Sequence, residues 1–235
     1  MSEFGLFQTV RPGGGRVEIA PDIRDRLLCG VLELEGVAVT QDTGAAQASE
    51  ALGASLREIF TGRLPSKIPG LQEARALYKS FGVDPSRHRP SSEALLRRVL
   101  KGQSLYQISN VVDTCNLASL SFLLPIGMYD TGKLKGDVTL RVGEPGEEYP
   151  GIRKGPVHLE GRLGLFDLDG PFGSPTSDSA RTCATDSTTG LLAVIMATPS
   201  YQRDRMDDNL GNFTHLFHQH CGAREIHRAV LGGTA

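Results

Sequence analysis

The sequence has no tryptophan, only 6% aromatic residues, and just four cysteines. It also lacks any apolar run near the roughly 20 residues that a membrane-spanning helix needs. Its opening, MSEFGLFQTVRPGGGR, has no apolar core of the kind a secretion signal carries, so a cytoplasmic location is expected. The cysteines, Cys29, Cys115, Cys183 and Cys221, are widely separated. They form no C-x-x-C pair of the kind used by structural zinc sites or thiol redox centres, and are expected to be reduced and mostly buried. Several catalytic signatures are missing too. There is no G-x-x-x-x-G-K-[ST] phosphate loop, no G-x-G-x-x-G, no G-x-S-x-G elbow and no H-E-x-x-H. VHLEG contains an isolated H-x-E, but the P-C-x-x-C that completes a zinc deaminase site is absent. The most metal-like run, HLFHQHC at 215–221, reads more simply as an amphipathic helix with partly exposed imidazoles. No metal and no cofactor is expected.

What is present is a chain of 235 residues with 39% hydrophobic and 22% charged residues and a formal charge of −2. That length can bury one substantial core, and a single unit over 1–235 is expected, with 1–16 as a flexible or extended segment. The charge is unevenly placed. Between Arg57 and Lys101 there are ten Lys or Arg against four Asp or Glu, so the rest of the chain is acidic. Such a block suits a polyanion, and a solvated helix surface gives the same count.

Periodicity outlines a mixed fold. RVEIA and GVLELEGVAVT read as strands, and AAQASEALGASLREIF, GLQEARALYKSFG and SSEALLRRVLKG as helices, with Ser91 as N-cap and Gly102 as stop. LYQISNVVDTCNLASLSFLL reads as another helix, ended by Pro125. Beyond it, GDVTLRV, VHLEGRLGLFDLD, ARTCATD and TGLLAVIMA read as short strands. A helix near Asp204–His220 then precedes the strand REIHRAV. The expected class is α+β, a large mixed β-sheet with helices packed against it.

In the basic segment, Leu95, Leu96, Val99 and Leu100 form the inward stripe of the helix. Arg97 and Lys101 share another face with Arg98 on its flank, and Arg87 and Arg89 lie just before the helix starts. These five are the candidate RNA-contacting residues. An alternative partner for Arg97 or Arg98 is a buried Glu148.

The ordered combination of YKSFGVDPSRHRPSSEALLRRVLKG, then NVVDTCNL, LLPIG and GMYD, and later DSARTCATDSTTGLLAVI, resembles the editing and tRNA-binding domain of the phenylalanyl-tRNA synthetase beta subunit, its third and fourth modules, as a free-standing protein. The likeness runs from about Val17 to Val230. It implies that fold, a partner in aminoacylated tRNA, and hydrolysis of the ester of misacylated tRNA in trans, without ligase activity. A non-catalytic RNA-binding module and a site for a free amino acid or its derivative are the alternatives. This sequence departs from the family pattern at key points. The family's histidine before A-F-D falls at Gly127, its threonine before asparagine at Cys115, and its late acidic residue near Ile195 or Met196. The glycine-rich A-G-V-M-G-G turn is replaced by GSPTSDSART. Candidate pocket residues are Asn116, Ser119, Tyr129, Glu148, Asp178 and Arg181, expected to converge on one polar site. Amide, hydroxyl, carboxylate and guanidinium groups together suit an amino acid ester. No catalytic base is assigned.

Overall fold

The computed structural model describes residues 3–64, 67–152 and 155–233. Its helices are α1 (Glu3–Phe7), α2 (Gly44–Phe60), α3 (Pro69–Ser80), α4 (Ser91–Leu100), α5 (Asn110–Phe122) and α6 (Arg203–Cys221). Its strands are β1 (Gln8–Val10), β2 (Arg16–Ile19), β3 (Leu28–Glu35), β4 (Ile126–Asp130), β5 (Val138–Val142), β6 (Glu148–Pro150), β7 (Pro156–His158), β8 (Leu163–Asp167), β9 (Gly170–Ser174), β10 (Ser177–Asp178), β11 (Gly190–Ala197) and β12 (Arg224–Gly232). The fold is α+β. A six-stranded sheet runs in the order β1-β2-β5-β8-β9-β10, and the parallel pairing of β2 with β5 makes it mixed. A second, four-stranded sheet runs β12-β3-β11-β4 and is antiparallel throughout. Strands β6 and β7 form a separate hairpin. Among the described residues no helix is long and apolar enough to cross a membrane.

The second sheet is the middle of three layers, which explains its sequence. Leu28, Leu32, Leu34, Leu191, Ala193 and Ile195 face α5 and α6, in one core with Val111, Phe122, Leu210 and Phe213. The alternate residues Cys29, Val31, Leu192, Val194 and Met196 face the six-stranded sheet, in a core with Val17, Leu140, Leu165 and Phe172. Strands buried on both faces read as continuous apolar runs rather than alternating ones, as GLLAVIMA does, while LCGVLELE turns to alternation at its end, where Glu33 is buried by its pair with Arg11. A third core joins α3, α4 and α5 through Ile68, Leu71, Leu96, Val99, Leu120 and Leu123. The basic segment is thereby fixed onto the rest of the molecule.

Four expectations are corrected. In the N-terminal segment, residues 3–16 are not wholly extended. They form α1 and enter a β1–β2 hairpin, held by the buried Arg11–Glu33 pair at 3.0 and 3.1 Å and by Thr9 Oγ1 against His227 Nε2 at 2.7 Å. Ser91 is the first residue of α4, not its cap. Pro90 takes the cap position and makes no side-chain capping bond, because its hydrocarbon ring offers no acceptor oxygen. The predicted helix over 105–124 begins only at Asn110, where Ser109 Oγ accepts from the Val112 N–H. ARTCATD is not a strand, because Ser179 and Thr182 bond each other through their hydroxyls at 3.0 Å and close a turn instead.

Candidate functional site

Cys115, Tyr129 and Asp178 lie far apart in sequence and meet where α5, β4 and β10 come together. Strand β4 follows α5 directly and pairs with β11, while β10 folds back on β9 with Asp178 opposite Gly173. Two tyrosines hold the turn that precedes Asp178. Tyr149 Oη donates to Ser174 Oγ at 2.9 Å and also contacts the Ser177 carbonyl, and Tyr78 Oη donates to the Pro175 carbonyl. The Asp178 main chain is fixed as well, its carbonyl accepting from the Ile152 N–H at 3.3 Å. The carboxylate therefore projects from a short strand that follows a braced turn, not from a free loop.

The electrostatics of this cluster are unusual. Desolvation pushes the Asp178 carboxyl up to about 7, and only a long 3.5 Å bond from the Met128 N–H and the neighbouring Tyr129 hydroxyl oppose it. Burial, with the negative charge of Asp178 second, drives the Cys115 thiol well above its ordinary range. The Tyr129 phenol is raised for the same two reasons. Cys115 is thus a poor nucleophile, since the thiolate is the reactive form. Both Cys115 and Asp178 stay half-buried rather than sealed.

Tyr129 explains a departure in the sequence. Its ring lies at zero exposure, edge-on to Phe172 at 4.8 Å. A Cβ built at Gly127, or at Gly173, would press directly into the Tyr129 hydroxyl. That hydroxyl thus fills the space a side chain at 127 would need, so the histidine of the resembled pattern would have to displace the Tyr129 ring. The hydroxyl has no hydrogen-bond partner in good geometry; it stands close enough to Asp178 to influence its titration and too poorly aligned to count as a bond. Ile195 and Met196 are both fully buried in apolar cores, so neither supplies an acidic contact.

The expected single constellation divides. Asp178 and Tyr129 come together. Asn116 instead lines a small cleft with Glu50, Tyr106 and Asp113. Ser119 Oγ donates to the Leu124 carbonyl at 2.9 Å and closes the end of α5. Arg181 makes a two-pronged pair with the buried Asp167 at 3.0 and 2.7 Å, so it braces β8 against its neighbouring turn. Glu148 is half-exposed on the β6–β7 hairpin and pairs with His158 at 2.8 Å, not with the basic helix.

The inward partner of the basic helix is its own Glu93, which is completely buried. It holds Arg75 at 2.7 Å, Arg97 at 2.8 Å and Arg89 at 3.7 Å. One carboxylate against three guanidinium groups leaves a local excess of positive charge. Arg87 is 84% exposed and only loosely paired with Asp84 at 3.8 Å. Arg98 donates to the Ser104 carbonyl at 2.5 Å and lies 4.1 Å from the Tyr106 ring centroid. Lys101 is exposed. A cavity of about 300 Å³ opens beside α4 and gathers Arg57, Arg63, Arg97 and Lys101. Arg57 and Arg63 belong to the charge block visible in the sequence, but only the packing of α2 on α4 shows that they share a cavity with α4. In HLFHQHC, His218 Nδ1 contacts the Ala223 carbonyl at 3.3 Å and Cys221 Sγ lies 3.7 Å from Thr114 Oγ1. Among the described residues no three His, Cys, Asp or Glu side chains are grouped to hold a metal.

A family model for the B3/4 domain matches residues 73–214, a span that contains α4, α5, Cys115, Tyr129 and Asp178. The chain belongs to the B3/4 domain family. This B3/4 chain is similar to the uncharacterized protein YhzB of Bacillus subtilis (strain 168), with 25% identity over 158 residues, covering 67% of the chain and 70% of that protein. Among solved structures it is similar to an N-terminal fragment of the phenylalanyl-tRNA synthetase beta subunit from Pyrococcus horikoshii. There the TM-score is 0.45 and the identity 14%, over 89% of this chain and 49% of the fragment. The chain thus spans about half the length of that fragment.

Proposed function

We propose that this B3/4 chain acts on tRNA and hydrolyses the ester of misacylated tRNA in trans, with Asp178 as the base that activates water. The observation that carries the reading is Asp178 itself: it follows a turn held by two tyrosines, meets Tyr129 and Cys115, and has its carboxyl pushed up to about 7 by burial. A general base works best with a pKa near the operating pH. In the proposed step, water attacks the ester carbonyl carbon while its proton passes to the Asp178 carboxylate. The bond from that carbon to the ribose oxygen breaks, and the ribose oxygen takes a proton. Hydrolytic removal after charging is useful because binding alone separates similar amino acids by only about 1–3 kcal/mol. The cationic cavity beside α4 supports tRNA as the carrier, and the B3/4 family membership agrees with a tRNA-related role.

The tempting alternative nucleophile is Cys115, and its raised thiol argues against it. Cys115→Ser is expected to keep deacylation within about threefold of the parent, and a chelator is expected to leave the rate unchanged; both are read in single-turnover hydrolysis of misacylated tRNA. Complete loss in a folded Cys115→Ser protein, or chelator inhibition reversed by zinc, contradicts the water mechanism. A second reading, an RNA-binding module without catalysis, is favoured by the positive excess around Glu93, which needs no chemistry to have a use.

A further inference from the structure

The basic cavity beside α4 is one end of a longer feature. A second cavity of about 230 Å³ shares Arg57 with it, and the small cleft around Asn116 shares Ser49, Glu50 and Leu105 with that second cavity. Through these shared walls the three lie end to end along α2, in the line of one groove. Its floor is a single face of α2, with Ala46, Ser49, Gly53, Arg57 and Phe60 spaced three or four residues apart. At 1.5 Å per residue, Ala46 to Phe60 spans roughly 21 Å. The opposite wall passes from α4 through 102–107 to α5.

The chemistry changes along the groove. Arg57, Arg63, Arg97 and Lys101 crowd one end. At the other end stands Tyr106, 70% exposed, with the Arg98 guanidinium over one face of its ring and the rest of the ring open. Beyond Tyr106 the groove ends at Asn116, whose amide can both donate and accept. Glu50 is the exposed acid of the middle section. Cations followed by an exposed aromatic are the two elements that hold unpaired nucleic acid, phosphates on the first and a base stacked on the second. A duplex keeps its bases stacked on one another and has none to offer Tyr106.

We infer that this groove holds a single strand of RNA, its phosphates on Arg57, Arg63 and Lys101 and one base stacked on Tyr106. The inference rests on the proposed tRNA reading and adds the route by which an unpaired end reaches the protein. Asn116, where the groove ends, is the neighbour in α5 of Cys115, which borders Asp178. The strand is delivered to the helix that carries one side of the candidate site.

The test is fluorescence anisotropy with a labelled eight-nucleotide single-stranded RNA and with its blunt duplex, over a salt series. Arg63, Lys101 and Tyr106 are exposed, so their variants keep the fold, which circular dichroism verifies. The wild-type protein is expected to bind the single strand at least tenfold more tightly than the duplex. An Arg63→Ala/Lys101→Ala variant is expected to bind about tenfold more weakly and to flatten the slope of log K against log salt by about 1.4, at about 0.7 for each phosphate no longer neutralised. Tyr106→Leu is expected to weaken binding about tenfold with the slope unchanged, and Tyr106→Phe to bind normally. If the wild type binds single-stranded RNA and all three variants match it, the groove assignment is wrong and the tRNA reading stands. Equal binding of strand and duplex also overturns the groove. If the wild type binds no RNA, both fall together.

Discussion

Replacing Asp178 by asparagine is expected to lower ester hydrolysis by about 10²–10⁴-fold, the usual contribution of a positioned general base, while making the protein more stable above pH 7. The two effects share one cause. Burial raises the carboxyl from 3.8 to about 7, so between those values the folded state keeps a proton that the unfolded chain releases. Stability from this group is therefore fully present below pH 3.8 and is lost as pH rises through 7. Above pH 7 the folded protein carries a desolvated negative charge that asparagine does not have. At one pKa unit per 1.36 kcal/mol, and allowing for the partial exposure of Asp178, Asp178→Asn should gain about 2–4 kcal/mol at pH 8 and almost nothing at pH 4. The parent's rate should rise with pH through about 7, and the variant's should stay flat. Thermal melts at the two pH values and a pH–rate profile check both halves. An Asp178→Asn protein that hydrolyses at the parent rate removes Asp178 from the chemistry.

The second large effect concerns the space around Tyr129. Gly127→Ala is expected to destabilise the protein by about 3 kcal/mol, because the added Cβ presses into the Tyr129 hydroxyl within a fully packed core. Tyr129→Phe alone should be nearly neutral, since it removes a buried hydroxyl that lacks a well-formed hydrogen bond. Together the two changes should be less destabilising than Gly127→Ala alone, with a coupling of at least about 1 kcal/mol in a double-mutant cycle. Strictly additive denaturation energies would mean that the hydroxyl does not occupy this space. The cycle also bears on the family pattern, because it asks whether a side chain at 127 and a tyrosine at 129 are mutually exclusive.

Strand β11 of the middle sheet was legible because burial on both faces demands an unbroken apolar run, as in GLLAVIMA, and β3 and β12 were read as strands from their β-branched residues, whereas β4 (Ile126–Asp130) was not read as a strand. Helix α4 was legible through its inward stripe of leucines and valine. What local pattern could not show was pairing at a distance. Glu93 looks like an ordinary first-turn acid, favourable to the helix dipole, and only the packing of α3 beside α4 brings Arg75 to it. Glu148 was a reasonable partner by charge alone, yet the β6–β7 hairpin carries it to His158. The same limit applies to the site. Asp178 and Tyr129 were both candidates, but their meeting with Cys115 depends on β10 returning along β9 beside β4. Arg181 was an apt ligand group by chemistry, and its commitment to the buried Asp167 follows from the Ser179–Thr182 turn that replaced an expected strand. Tyr106 fell within a stretch read as helix. Its exposure appears only because Ser109 starts α5 later and leaves 103–108 as a loop.

The most direct measurement of the central claim is hydrolysis of a panel of misacylated tRNAs by the purified protein, followed as loss of the labelled aminoacyl ester against its spontaneous rate. The account predicts that at least one ester is hydrolysed tenfold or more above background, that correctly charged tRNAs are spared, and that Asp178→Asn abolishes the excess. Tight tRNA binding with every ester decaying at its spontaneous rate would contradict it and leave a binding module in its place.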